Sequence, residues 1–111
     1  MNSRNKVYLI GLIAQDLELK SFDNDKRYYI QFLLAIDSCN KFTGEKMTNF
    51  ITVVAFDKKA KLICEYFSKG SPISIEGYIQ IGNYVNKNKS KYYSTKIILE
   101  SFRFIEKEES L

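Results

Sequence analysis

The stretch Asn49-Phe50-Ile51-Thr52-Val53-Val54-Ala55-Phe56, preceded by Thr48 and followed by Asp57-Lys58, is dense in β-branched and aromatic residues and free of Gly and Pro. That is the makeup of a central strand. Side chains alternate along a strand, so Ile51, Val53 and Ala55 share one face while Phe50, Thr52, Val54 and Phe56 share the other. Both faces are apolar. Either the strand is covered twice, or one side shows aromatic rings to something flat.

The chain around it has 111 residues, enough for a single domain, with its core expected at about 5–105 and a short charged end at 106–111. Apolar residues make up 45%, so a real core is available. Lys plus Arg outnumber Asp plus Glu by 17 to 13, a net charge of +4 that suits a polyanionic partner. Eight Tyr and eight Phe, with no Trp, make an aromatic-rich chain.

Upstream, Lys6 to Ala14 alternates Val7, Leu9 and Gly11 with Tyr8, Ile10 and Leu12 as a first strand. The polar segment from Gln15 to Lys26 reads as a turn with Asp23-Asn24-Asp25 at its tip. A second strand over Arg27 to Ser38 puts Tyr28, Ile30, Phe32, Leu34 and Ile36 on one face and Tyr29, Gln31, Leu33, Ala35 and Asp37 on a more mixed one. Thr43-Gly44-Glu45 is a hairpin signal leading into the opening stretch.

Downstream the period changes. Ala60, Ile63, Cys64 and Phe67 form the stripe of a short helix, with Asp57 expected as its N-cap and Gly70 at its C-terminal end. A fourth strand places Ile73, Ile75, Gly77, Ile79 and Ile81 inside and Ser74, Glu76, Tyr78 and Gln80 on a wet face, with a bend or bulge at Gly77. A fifth runs from about Tyr92 to Ile105. Three strands, a helix and two strands is the element order of an all-β OB-fold, a five-stranded Greek-key barrel with its helix between the third and fourth strands.

Histidine is absent, which removes the commonest general base, the Ser–His and Cys–His pairs and the commonest zinc ligand. The carboxylates Asp23, Asp25, Glu45, Asp57 and Glu65 show no spacing that would gather them on a cation. Cys39 and Cys64 fit neither a metal motif nor a disulfide framework and are expected as small buried apolar residues. No enzyme, metal or cofactor is expected. The apolar run ending at Gly11 is too short for a signal peptide or a membrane span, which points to a cytoplasmic protein with no membrane partner.

What remains is binding. Lys87, Lys89, Lys91 and Lys96 interleave with Tyr84, Tyr92 and Tyr93 around the polar loop Asn86 to Lys91. Lysines attract phosphates and aromatic faces stack unpaired bases, so the combination suits a single-stranded nucleic acid. If Ile51, Val53 and Ala55 fill the barrel, Phe50 and Phe56 stand outside it and need a partner.

Four stretches, Asn5-Lys6-Val7-Tyr8-Leu9-Ile10-Gly11, Asn49 to Lys58, Glu65-Tyr66-Phe67-Ser68-Lys69-Gly70-Ser71 and Ile75-Glu76-Gly77, resemble the bacterial and phage single-stranded DNA-binding proteins, in order and spacing, from about Asn5 to Ile105. The resemblance implies an OB-fold, usually a homotetramer, with a dimer as the other arrangement, that coats single-stranded DNA in replication, recombination and repair. By position it implies stacking at Phe50, Phe56 and Tyr84, with Phe42, Tyr78 and Tyr93 as further candidates. Arg27, Lys58, Lys87, Lys89 and Lys91 are the matching phosphate contacts. Family members that recruit repair enzymes end in a long acidic tail. This chain ends at Glu108-Glu109-Ser110-Leu111, so tail-mediated recruitment is not implied. The alternative is an OB-fold that binds protein as a priming or assembly factor, with nucleic acid secondary.

Overall fold

A computed structural model describes residues 3–105; the charged end at 106–111, and the expectation resting on it, lie outside the described residues. Six strands and one helix follow in order: β1 (Val7–Ile13), β2 (Lys20–Phe22), β3 (Arg27–Cys39), β4 (Lys46–Phe56), α1 (Asp57–Tyr66), β5 (Pro72–Val85) and β6 (Lys91–Phe104). The sheet order is β1-β5-β6-β4-β3-β2, and β1 also pairs with β3 through Leu12↔Ala35 and Ile13↔Leu34. That extra pairing closes five strands into the OB barrel. β4 and β6 run parallel through Thr52–Val54 and Lys96–Ile98, while the other pairings are antiparallel.

The period-2 pattern sets what the barrel contains. Ile30, Phe32 and Leu34 of β3 lie opposite Ala55, Val53 and Ile51 of β4, all on the inner face. They are joined by Ile13, Ile73, Ile75, Ile97 and Leu99. Ala60, Ile63 and Phe67 of the helix stripe close one end of this core. Burial of each large aliphatic or Phe side chain is worth about 1.5–3 kcal/mol, and the interior contains several.

Two close backbone approaches let the barrel shut. A Cβ at Gly11 would lie 2.3 Å from the carbonyl oxygen of Ala35, where β1 crosses β3. One at Gly77 would lie 2.1 Å from that of Ile98, beside the register shift between Glu76 and Gly77. The expected bend at Gly77 is therefore a bulge, and only a residue without a side chain fits there.

Several expectations are corrected. Lys20–Phe22, inside the stretch expected to be all turn, forms β2 and pairs with Arg27–Tyr29. Three residues are too few to display an alternation. Ile79 and Ile81 are exposed rather than inside, because among the described residues β5 beyond Tyr78 has β6 as its sole neighbouring strand, and no element covers that face. Cys39 is exposed, at the end of a β3–β4 hairpin that outruns the barrel; Cys64 is half-buried against the core, and that burial pushes its thiol up from the usual range. Asp57 does not cap the helix: Phe56 occupies that position, and Asp57 is the first helical residue, with φ of 54°. Gly70, with φ of 92°, lies in the turn after Phe67 rather than at the helix end, which Phe67 closes by donating its N–H to the carbonyl of Ile63.

Candidate nucleic-acid interface

The outer face of the sheet follows from the same registers. Tyr29 lies opposite Phe56, Gln31 opposite Val54, Gln80 opposite Lys96, Gly82 opposite Ser94 and Tyr84 opposite Tyr92. The parallel pairing sets Val54 beside Ile98. Together with Phe22 of β2, all of these residues except Tyr92 line an open groove of about 430 Å³ across β2, β3, β4, β6 and β5. Its floor is Val54 and Ile98, its walls are Phe22, Tyr29, Phe56 and Tyr84, and Lys96 is the cation in its lining.

The rings are held by local contacts. Tyr84 stacks on Tyr92, centroids 5.4 Å apart and planes 21° from parallel. It also lies across Gly82, where a Cβ would come within 3.0 Å of its hydroxyl. Phe22 meets Phe56 at 6.2 Å and Tyr29 at 5.7 Å, both edge to face. Phe56 keeps 37% of its surface exposed and Phe50 keeps 59%.

A second groove adjoins the first and shares Phe56 and Ile98 with it, adding Asp57, Lys58, Lys59, Tyr78 and Glu100. A third, around Tyr28, is lined by Lys26, Arg27, Asp57, Lys58 and Lys61, with the Lys61 ammonium 4.0 Å from the Tyr28 ring. Each of the three grooves combines at least one aromatic ring with at least one cation.

Of the residues singled out from sequence, Phe56 and Tyr84 meet in the first groove, and Tyr78 and Lys58 in the second. Phe50 shares the Phe56 face but lies about 20 Å along β4 from it, at roughly 3.3 Å per residue. Phe42 is fully exposed in the β3–β4 turn, where Asn40 Oδ1 accepts the Phe42 N–H at 2.8 Å. Lys87 and Lys89 are exposed in the β5–β6 loop. Tyr93 and Lys91 lie opposite Asn83 and Val85, so they occupy the face of that hairpin away from Tyr84.

Arg27 is already engaged: its Nη2 and Nε donate to Asp57 Oδ2 at 2.8 and 3.3 Å. Asp57 Oδ1 accepts the Tyr28 N–H at 3.1 Å. The guanidinium, and to a lesser degree that N–H, holds the Asp57 carboxyl below its usual range, and Asp57 raises Arg27 in return.

Phe22, Tyr29, Gln31 and Ser94 were not anticipated as groove residues, and Lys96 was seen only as part of a basic hairpin. The Tyr29↔Phe56 register carries the missing signal, because it turns the mixed face of β3 into the neighbour of the Phe50–Phe56 face.

Comparison with known proteins shows the family and the fold. The family described as "Single-strand binding protein family" matches residues 4–105. Single-stranded DNA-binding protein 2 of Clostridium acetobutylicum is 34% identical over 102 residues, covering 92% of this chain and 77% of that one. Single-stranded DNA-binding protein 1 of Staphylococcus aureus Mu50 is 32% identical over 107 residues, covering 96% and 68%. A solved complex of Plasmodium falciparum SSB with ssDNA shares the fold, with a TM-score of 0.82 at 23% identity over 96% of this chain and 98% of that one. The chain belongs to the single-strand binding protein family.

Proposed function

We propose that this protein binds single-stranded DNA with little sequence preference and without catalysis, coating it during replication, recombination and repair. The observation that carries the reading is the first groove, where four aromatic side chains surround Lys96 on an open sheet face. Every base has a π-face, so rings select for unpaired bases without selecting among them. In this reading Phe56 and Tyr84 stack bases, Phe22 and Tyr29 extend their wall, and Phe50, Phe42 and Tyr78 continue the track. Lys58, Lys87, Lys89 and Lys96 neutralise phosphates; Tyr93 and Lys91, on the far face of their hairpin, rank last.

The working unit is a homo-oligomer, with a tetramer favoured over a dimer. Supporting this, Tyr8, Ile10 and Leu12 form an exposed apolar row on β1. Beyond its β5 edge, β1 is paired at Leu12 and Ile13, so among the described residues Val7–Gly11 offer a strand edge to a second copy. Sedimentation measures the state. Among the described residues no helix is long and apolar enough to cross a membrane; the reading places the protein in the cytoplasm.

Titration of fluorescein-labelled single-stranded DNA, duplex DNA and RNA at two salt concentrations tests the reading. Single strands should bind tightest, and Phe56→Ala should weaken poly-dT binding by about 1–3 kcal/mol, one stacked base. A duplex preference, or no binding, would leave the face to a protein partner instead.

A further inference from the structure

Arg27 sits where a phosphate contact was expected, yet its geometry is that of a brace. The chain turns from β4 into α1 at Asp57, whose left-handed φ of 54° is one that Asp tolerates better than most side chains. From there the carboxylate reaches the start of β3, taking the Tyr28 N–H on one oxygen and two Arg27 donors on the other. So anchored, the guanidinium carbon lies 5.0 Å from the centre of the Phe22 ring and 5.8 Å from that of Phe56. A planar guanidinium can serve a carboxylate along its edge and aromatic rings across its face, which an ammonium cannot. With its charge matched by Asp57, it adds little net attraction for a phosphate.

We infer that Arg27 and Asp57 are positioning residues for base stacking, the ion pair fixing the guanidinium against Phe22 and Phe56 and so setting the orientation of the Phe56 ring. The inference rests on Phe56 stacking a base, as proposed above. It assigns Asp57, an acidic residue on a DNA-facing surface, a favourable role in binding an anion. Simple charge counting gives the opposite sign.

That opposition defines the experiment: titrate a dT oligonucleotide with the wild-type protein, Asp57→Asn, Arg27→Lys, Arg27→Gln, Phe56→Ala and the Phe56→Ala/Asp57→Asn double variant at several salt concentrations. Asp57→Asn should bind about threefold more weakly despite losing a negative charge, and Arg27→Lys about as weakly despite keeping its positive one, the size of an exposed cation–π contact. Arg27→Gln should leave the salt slope unchanged, whereas a lost single-strand phosphate contact flattens it by about 0.7. In the Phe56→Ala background, Asp57→Asn should have no further effect, which a general loss of stability would not produce. Asp57→Asn binding as tightly as wild type or tighter, full retention in Arg27→Lys, or a flattened slope in Arg27→Gln would each overturn the inference. If Asp57→Asn fails to fold, the two Arg27 variants decide. Wild-type binding that Phe56→Ala leaves intact removes Phe56 as the stacking ring and the brace with it. Absence of wild-type binding overturns the functional reading itself.

Discussion

The two halves of β5 differ in one respect, the number of strands beside them. Ile73 and Ile75 lie between β1 and β6 and are fully buried; Ile79 and Ile81 lie beside β6, outside the barrel, and are exposed. The residue type, spacing and strand are the same. Alternation therefore reports which face a side chain takes, while the neighbouring strands decide whether that face is covered. The barrel half holds the fold, and the outer half supplies Gln80, Gly82 and Tyr84 to the groove.

Substitutions can break that comparison or sharpen it. Phe32→Ala, at a fully buried position, should cost about 3–5 kcal/mol in urea unfolding. Ile81→Ala should stay within about 0.5 kcal/mol, as surface changes do; an equal cost at both sites would mean the outer half is covered in solution. Gly77→Ala should cost about 1–3 kcal/mol, because the new methyl meets the backbone of Ile98, which can yield only by shifting β6. Gly82→Ala meets the end of the Tyr84 side chain, which can swing aside. Its stability should change by no more than about 0.5 kcal/mol. Its dT affinity should fall, by less than the roughly 1–3 kcal/mol of a whole stacked base.

The smallest effect is one of pH. Arg27 and the Tyr28 N–H hold the folded Asp57 below its ordinary value of 3.8, so in acid the unfolded chain binds the extra proton. The stabilisation is present above that value and is lost as the pH falls through the lower folded one. The wild-type protein and Asp57→Asn should differ in Tm near neutrality and converge only as the pH falls through the lowered folded value. A gap that persists in acid would mean that the carboxylate's charge is not what matters there.

Much of this was legible in the residues. The outward turn of Phe50 and Phe56 followed from the other face of their strand, since Ile51, Val53 and Ala55 already supplied a barrel interior. Gly77 signalled its bulge by interrupting an isoleucine ladder. The Arg27–Asp57 contact was hidden because it joins residues thirty positions apart through a register that no local pattern encodes. Phe22 was hidden for a related reason: β2 exists by pairing with β3, and its three residues are too few to read alone. Cys39 looked like core by residue type, and only the length of the β3–β4 hairpin puts it in water.

The parallel pairing of β4 with β6 bears on how the protein folds. Its two partners are separated in the chain by the helix and the whole of β5, so the loop must be closed before the contact repays it. Topologies dominated by such distant pairings fold in milliseconds to seconds rather than microseconds. Val54 and Ile98, the groove floor, belong to that pair. The binding face is thus complete only when the slowest class of contact has formed, and a ligand that needs it selects the fully closed chain over every precursor. Bound DNA should accordingly raise Tm in proportion to the logarithm of its concentration over Kd.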